Sequence, residues 1–173
     1  NLSVLDVSAA ALDHVRGRLG DAAVGVTWLE GDVLSTRLPA CHYDVWHDRA
    51  VFHFLTSPED RARYVAQVRH AVRPGGMVIV ATFAEDGPTR CSGLEVARYS
   101  PEALHAEFGA DFELITVHQA ASCQSTDAGP NVGGAAAEYR RNLEAWCGAE
   151  GLGLVVNRGH GQRRQWLDAI ARA

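Results

Sequence analysis

His47, Asp48 and Arg49 stand in a row at the end of an apolar-flanked run that opens with Tyr43-Asp44-Val45-Trp46, and His53 lies four residues beyond Arg49. An imidazole or a carboxylate can take the proton that a hydroxyl, amine or thiol nucleophile must lose, so His47, Asp48 and His53 are candidates for acid–base work. A His-Asp pair beside an Arg equally suits a network that fixes a loop, and the two readings carry the same weight. A second kind of chemistry is offered by Asp6, which closes the run Leu2-Ser3-Val4-Leu5, and by Asp32, which comes after Gly31 and the run 24–29. Each carboxylate is an acceptor of hydrogen bonds and donates none. Each also suits the plain task of capping the next turn or helix of the chain.

The elements that position these groups read as a repeated strand–helix–strand pattern. Leu2-Ser3-Val4-Leu5-Asp6-Val7 is a strand, and Ser8 caps a helix through Ala9, Ala11, Leu12, Val15 and Leu19 that Gly20 closes. Residues 24–29 form a second strand with a turn at Gly31, and residues 43–49 a third. Ser57-Pro58-Glu59-Asp60 places a cap, a proline and acids at a helix start, and Tyr64, Val65, Val68, Ala71 and Val72 continue at helical spacing. Arg73-Pro74-Gly75-Gly76 then turns the chain into the nearly all-apolar strand 77–83, a pattern of burial on both faces. Residues 84–96 are a polar, Gly- and Pro-containing loop of the kind that covers a substrate. Ser100-Pro101-Glu102 starts another helix, and residues 112–117 are a further strand. Units of this length imply parallel pairing with right-handed crossovers. The predicted fold class is α/β, a doubly wound, mostly parallel sheet with helices on both faces.

At 173 residues and 47% hydrophobic composition the chain suffices for a domain with a real core, and its formal charge of -5 provides no basic field for a nucleic acid backbone. A small-molecule partner is the better expectation. No run approaches the roughly 20 apolar residues of a membrane span. Cys41, Cys91, Cys123 and Cys147 are scattered, which reads as reduced thiols in a cytoplasmic protein. His42, His47 and His53 lack the spacing of metal ligands, so no metal is expected.

An acid ending one strand (Asp6), Gly31-Asp32 ending the next, Tyr43-Asp44-Val45 opening a third, then a helix, Arg73-Pro74-Gly75-Gly76 and an apolar strand: this ordered set resembles the second half of the class I S-adenosylmethionine-dependent methyltransferase fold, over residues 2–117. The resemblance implies S-adenosyl-L-methionine as cofactor. It implies that Asp6, with Val7, holds the ribose hydroxyls, that Asp32 after Gly31 accepts from the adenine amino group, and that Val33 lies beside the ring. It also places Trp46 and His47 at the cofactor's reacting end. Arg90, Cys91 and Ser92 would shape the choice of a small methyl acceptor. Arg73-Pro74-Gly75-Gly76 identifies the family while serving only to turn the chain.

The family's glycine-rich loop lies between its first strand and first helix, upstream of the ribose acid. The expectation is therefore an N-terminally truncated domain, a fragment of a longer reading frame, in which strands 2–7 and 24–29 have no hydrogen-bonded bridge to strands 43–49 and 77–83. The expected division is a partial methyltransferase domain over 1–119, a linker or disordered stretch over 120–137, and a weakly helical segment over 138–173, with 152–156 as an edge strand or a substitute for the family's seventh. Readings of other classes stay open: a nicotinamide-dependent oxidoreductase, which also places an acid after its second strand, and a non-catalytic remnant or interaction module using Trp146 and Trp166. The oligomeric state is left open.

Overall fold

The computed structural model describes residues 1–49, 51–119 and 151–158, with the backbone alone for 118, 119 and 151–158. The chain divides into two compact units, Asn1–Pro39 and Ala40–Ala173. The expected linker 120–137, the helical patterns 138–147 and 162–173, and Cys123, Cys147, Trp146 and Trp166 lie outside the described residues.

In the first unit, β1 (Leu2–Asp6) pairs in parallel with β2 (Val26–Glu30), register Leu2↔Val26 through Asp6↔Glu30, so the two strands end side by side. Between them runs α1 (Ala9–Leu19), whose cap Ser8 accepts from the Ala11 amide through Oγ at 3.2 Å. The second strand begins later than its apolar pattern suggests. Gly20–Ala23 winds into a 3-10 turn that the Val24 amide closes on the Asp21 carbonyl at 3.2 Å, and Val24 is left exposed before the strand. The Arg16 guanidinium lies 4.9 Å from the centroid of the Trp28 ring, which ties helix to strand.

The second unit is built on β3 (Tyr43–Arg49) and β4 (Val72–Ala84), which pair in parallel. β4 is bordered on its other edge by β9 (Gly151–Arg158), and β9 in turn by β8 (Phe112–Gln119), giving the order β3-β4-β9-β8. β9 is antiparallel to both neighbours. The stretch 152–156 is therefore not at an edge, and residues 151–158 within the expected helical segment are strand. Gly151 and Gly153 are accommodated in register with Phe83 and Ala81. Among the described residues the β1–β2 pair and this larger sheet share no ladder.

Two helices start as their sequence signals require. α2 (Pro58–Ala71) is capped by Ser57, whose Oγ accepts from the Asp60 amide at 3.1 Å, and α3 (Pro101–Phe108) by Ser100 through the Ala103 amide at 3.2 Å. Tyr64, Val65, Val68 and Ala71 are the buried residues of α2. The aromatic part of the core centres on Phe52, whose ring centroid lies 5.0–5.8 Å from those of Tyr64, Tyr99 and Phe108, and the Phe108 centroid lies 5.4 Å from that of Phe112. β4 is buried on both faces from Met77 to Thr82, as an interior strand covered on both sides must be.

The Arg73-Pro74-Gly75-Gly76 turn is absorbed into β4 rather than preceding it. Pairing with β3 jumps from Tyr43↔Val72 to Val45↔Met77, so the intervening residues arch out of the ladder. Gly75 takes φ 81°, and a Cβ on Gly76 would come within 2.9 Å of the carbonyl oxygens of Arg73 and Asp44. Both glycines are thus required by backbone geometry. Arg73 also binds the start of β3, with an ion pair to Asp44 at 2.8 Å and a hydrogen bond to the His42 carbonyl at 2.9 Å.

Candidate functional site

In the first unit Asp6, Val7, Gly31, Asp32 and Val33 come together at the carboxyl ends of β1 and β2, joined by the hydrogen bond from the Gly31 amide to the Asp6 carbonyl at 3.0 Å. Each acid is half committed. Asp6 Oδ1 accepts from the Ser8 amide at 2.8 Å, and Asp32 Oδ1 accepts from the Leu34 amide at 2.9 Å. These bonds are the local capping roles that the sequence left open. The Oδ2 atoms have no hydrogen-bond partner among the described residues. Val7, beside Asp6, exposes an apolar side chain to solvent. The arrangement offers two acceptor oxygens and an apolar contact, a set that fits the donors of a ribose diol and of a nucleoside amino group.

In the second unit the strand's two-residue alternation separates the candidates. Trp46 and Asp48 share the face of β3 turned toward α2, whereas His47 and Arg49 share the other. Asp48 is buried, and its carboxylate takes three donors: the Val51 amide at 2.9 Å, the Phe52 amide at 3.1 Å and the Tyr64 hydroxyl at 2.6 Å. Tyr64 in turn accepts from Trp46 Nε1 at 2.9 Å. Burial pushes the Asp48 carboxyl pKa up, and the bonds from Tyr64, Val51 and Phe52 oppose that push. The Tyr64 hydroxyl is held well above its ordinary range, by burial first and by the Asp48 charge second. Asp48 thus holds the turn 51–54 onto the end of β3 through two amides and Tyr64, not through a network with His47 and Arg49. Trp46 is likewise turned into the contact with Tyr64, the ring centroids 5.8 Å apart at 89°.

His47 is exposed at the end of β3, and desolvation, with the Arg49 charge second, lowers its pKa. His53 has a different setting. It sits in the short 3-10 turn Phe52–Phe54, 2% exposed, with its ring centroid 4.3 Å from that of Phe54 and 4.8 Å from that of Phe83. Burial lowers its pKa, and neither ring nitrogen has a hydrogen-bond partner among the described residues.

The expected lid is partly ordered as a hairpin of β5 (Arg90–Cys91) and β6 (Leu94–Glu95), turned through Ser92 and Gly93, both with positive φ. Arg90 and Ser92 are exposed there and Cys91 is half-buried. The base of the segment is fastened on two sides. β7 (Arg98–Tyr99) pairs with the end of β4, and the Ala97 amide donates to the His53 carbonyl at 2.7 Å. Arg98 also donates to the carbonyls of Glu85 at 2.7 Å and Gly87 at 3.1 Å. Among the described residues no group of three or more His, Cys, Asp or Glu side chains is placed to hold a metal ion, and no helix is long and apolar enough to cross a membrane.

Tyr64 is the residue that sequence reasoning missed. It was legible only as a member of the apolar stripe of α2; the signal, a hydroxyl on a stripe that must be buried, implies a polar partner.

Residues 1–76 match the sequence model of a family described as a methyltransferase domain. No curated protein sequence matches the chain. Among solved structures, the N-methyltransferase NodS from Bradyrhizobium japonicum WM9 in complex with S-adenosyl-L-homocysteine is similar with a TM-score of 0.65 at 14% identity, over 92% of this chain and 67% of that one. The 1,6-didemethyltoxoflavin-N1-methyltransferase from Burkholderia thailandensis, with 1,6-didemethyltoxoflavin and S-adenosylhomocysteine bound, gives 0.59 at 16% identity, over 91% and 61%. The [4+2]-cyclase SpnF gives 0.59 at 16% identity, over 92% and 67%.

Proposed function

For a chain that carries the class I methyltransferase fold, we propose the function of an S-adenosylmethionine-dependent methyltransferase acting on a small-molecule acceptor. The fold alone does not fix the reaction, since a cyclase shares it. The observation that carries the reading is the paired strand ends of the first unit, where Asp6 and Asp32 each commit one carboxylate oxygen locally and keep the other without a partner among the described residues. Asp6 Oδ2 would accept from the ribose hydroxyls and Asp32 Oδ2 from the adenine amine, with Gly31 fixing their spacing and Val7 and Val33 giving apolar contact. When bound, S-adenosyl-L-methionine supplies a methyl group on a sulfonium, and methyl transfer asks of the protein mainly an in-line approach and a place for the acceptor's proton.

The roles that the resemblance gives Trp46 and His47 toward the cofactor rest on the resemblance. Asp48, whose carboxylate is filled by three donors, is not proposed as the proton acceptor, and that role is proposed for His47 on the other face of β3. The small acceptor is supported by the Burkholderia enzyme with its bound substrate. Arg90, Cys91 and Ser92 are proposed to face the acceptor. A nicotinamide-dependent oxidoreductase is the reading to test against. Calorimetric titration of the chain with S-adenosylhomocysteine and, separately, NADH separates the two: heat with the first alone supports the transferase, and heat with NADH alone overturns it.

A further inference from the structure

The imidazole of His53 is buried, yet neither of its nitrogens has a hydrogen-bond partner among the described residues. Buried polar groups nearly always have one, because leaving a donor and an acceptor dry forfeits their hydration with nothing in exchange. The ring packs against both Phe54 and Phe83, and both of those residues are half-buried. His53 is therefore covered by side chains that themselves reach solvent. Its main-chain carbonyl receives the Ala97 amide at 2.7 Å, so the histidine stands directly at the base of the 84–96 segment. Phe83 is on the opposite face of β4 from Thr82 and Ala84, so this slot is separate from the buried network of Asp48, Tyr64 and Trp46.

We propose that His53, Phe54 and Phe83 form a recognition slot for a flat, uncharged aromatic ring bearing one hydroxyl or amino group, the ring lying against the two phenyls and its polar group bonding to the imidazole. A neutral imidazole presents one donor and one acceptor, and a hydroxyl or amine offers the complement of both. The surroundings are apolar aromatic rings, which favours a planar uncharged partner. This names the acceptor class of the methyltransferase reading and rests on it. His53 acts here in binding and orientation.

The test uses the full chain and phenol, with toluene as the ring that lacks the hydroxyl. Ring-nitrogen NMR signals of His53 are followed during each titration, and binding is repeated on His53→Phe, which keeps an aromatic ring in the slot. The expected result is a saturable shift of the His53 nitrogens with phenol that exceeds any shift with toluene. Phenol binding should weaken about tenfold in His53→Phe while toluene binding stays unchanged. His53 signals that do not move with phenol would overturn the proposal, as would equal phenol affinity in the variant. The wild-type spectra decide the matter even if the variant fails to fold. Failure here with S-adenosylhomocysteine still bound leaves the transferase reading standing, whereas absence of nucleoside binding strikes that reading independently.

Discussion

Tyr64 donates its hydroxyl proton to Asp48 Oδ2 at 2.6 Å while accepting from Trp46 Nε1 at 2.9 Å, so one helix residue satisfies two strand residues at once. This bond joins α2 to β3 at the point where the chain leaves the sheet. Replacing it by Tyr64→Phe keeps the ring in contact with Phe52 and deletes only the hydroxyl. The expected cost is about 1–3 kcal/mol, because Trp46 Nε1 and Asp48 lose a buried partner together. Urea unfolding should show a lower midpoint with the slope unchanged.

Asp48→Ala should cost more than Tyr64→Phe, about 3 kcal/mol or more, since the Val51 and Phe52 amides and the Tyr64 hydroxyl lose their acceptor in one step. The order of the two midpoints checks the structural assignment of Asp48. Asp48→Ala as stable as Tyr64→Phe would speak against it.

The pH dependence of stability should carry the mark of His53. Its folded pKa lies below 6.5, so between the folded value and 6.5 the unfolded chain holds a proton that the native one does not. Its contribution is complete above 6.5 and is lost as pH falls through the folded value. His47 acts in the same direction. Unfolding free energy measured from about pH 7 down to about pH 5 should decline in the wild type and decline less steeply in His53→Phe.

Gly76→Ala should destabilise the second unit by more than the roughly 1 kcal/mol that a helix cap such as Ser57 contributes. The added methyl would meet two backbone oxygens, Arg73 and Asp44, and neither can move without disturbing the β3–β4 ladder. Thermal unfolding of Gly76→Ala beside Ser57→Ala measures the difference.

How much of this could be read beforehand differs from place to place. The starts of α2 and α3 were legible because Ser-Pro-Glu is local chemistry, complete within one turn. β4 was legible because an apolar run announces burial on both faces. The interior position of β9 was not, because its glycines weaken the strand pattern and its partners, β4 and β8, are far away in sequence. His47, Asp48 and Arg49 read as one polar cluster, whereas the strand's alternation divides them, and which face meets α2 depends on where Tyr64 lands, which is tertiary. The positions of Asp6 and Asp32 at strand ends were legible; that each would divide its carboxylate between a turn and an open side was not.

The most direct measurement is the affinity of S-adenosylhomocysteine for wild type and for Asp6→Asn. The asparagine keeps an oxygen for the Ser8 amide, so the fold is retained, and it replaces the other oxygen by a group that donates. A ribose-binding role for Asp6 predicts unchanged thermal stability with affinity weaker by about tenfold to a hundredfold. Equal affinity in the two proteins would contradict it.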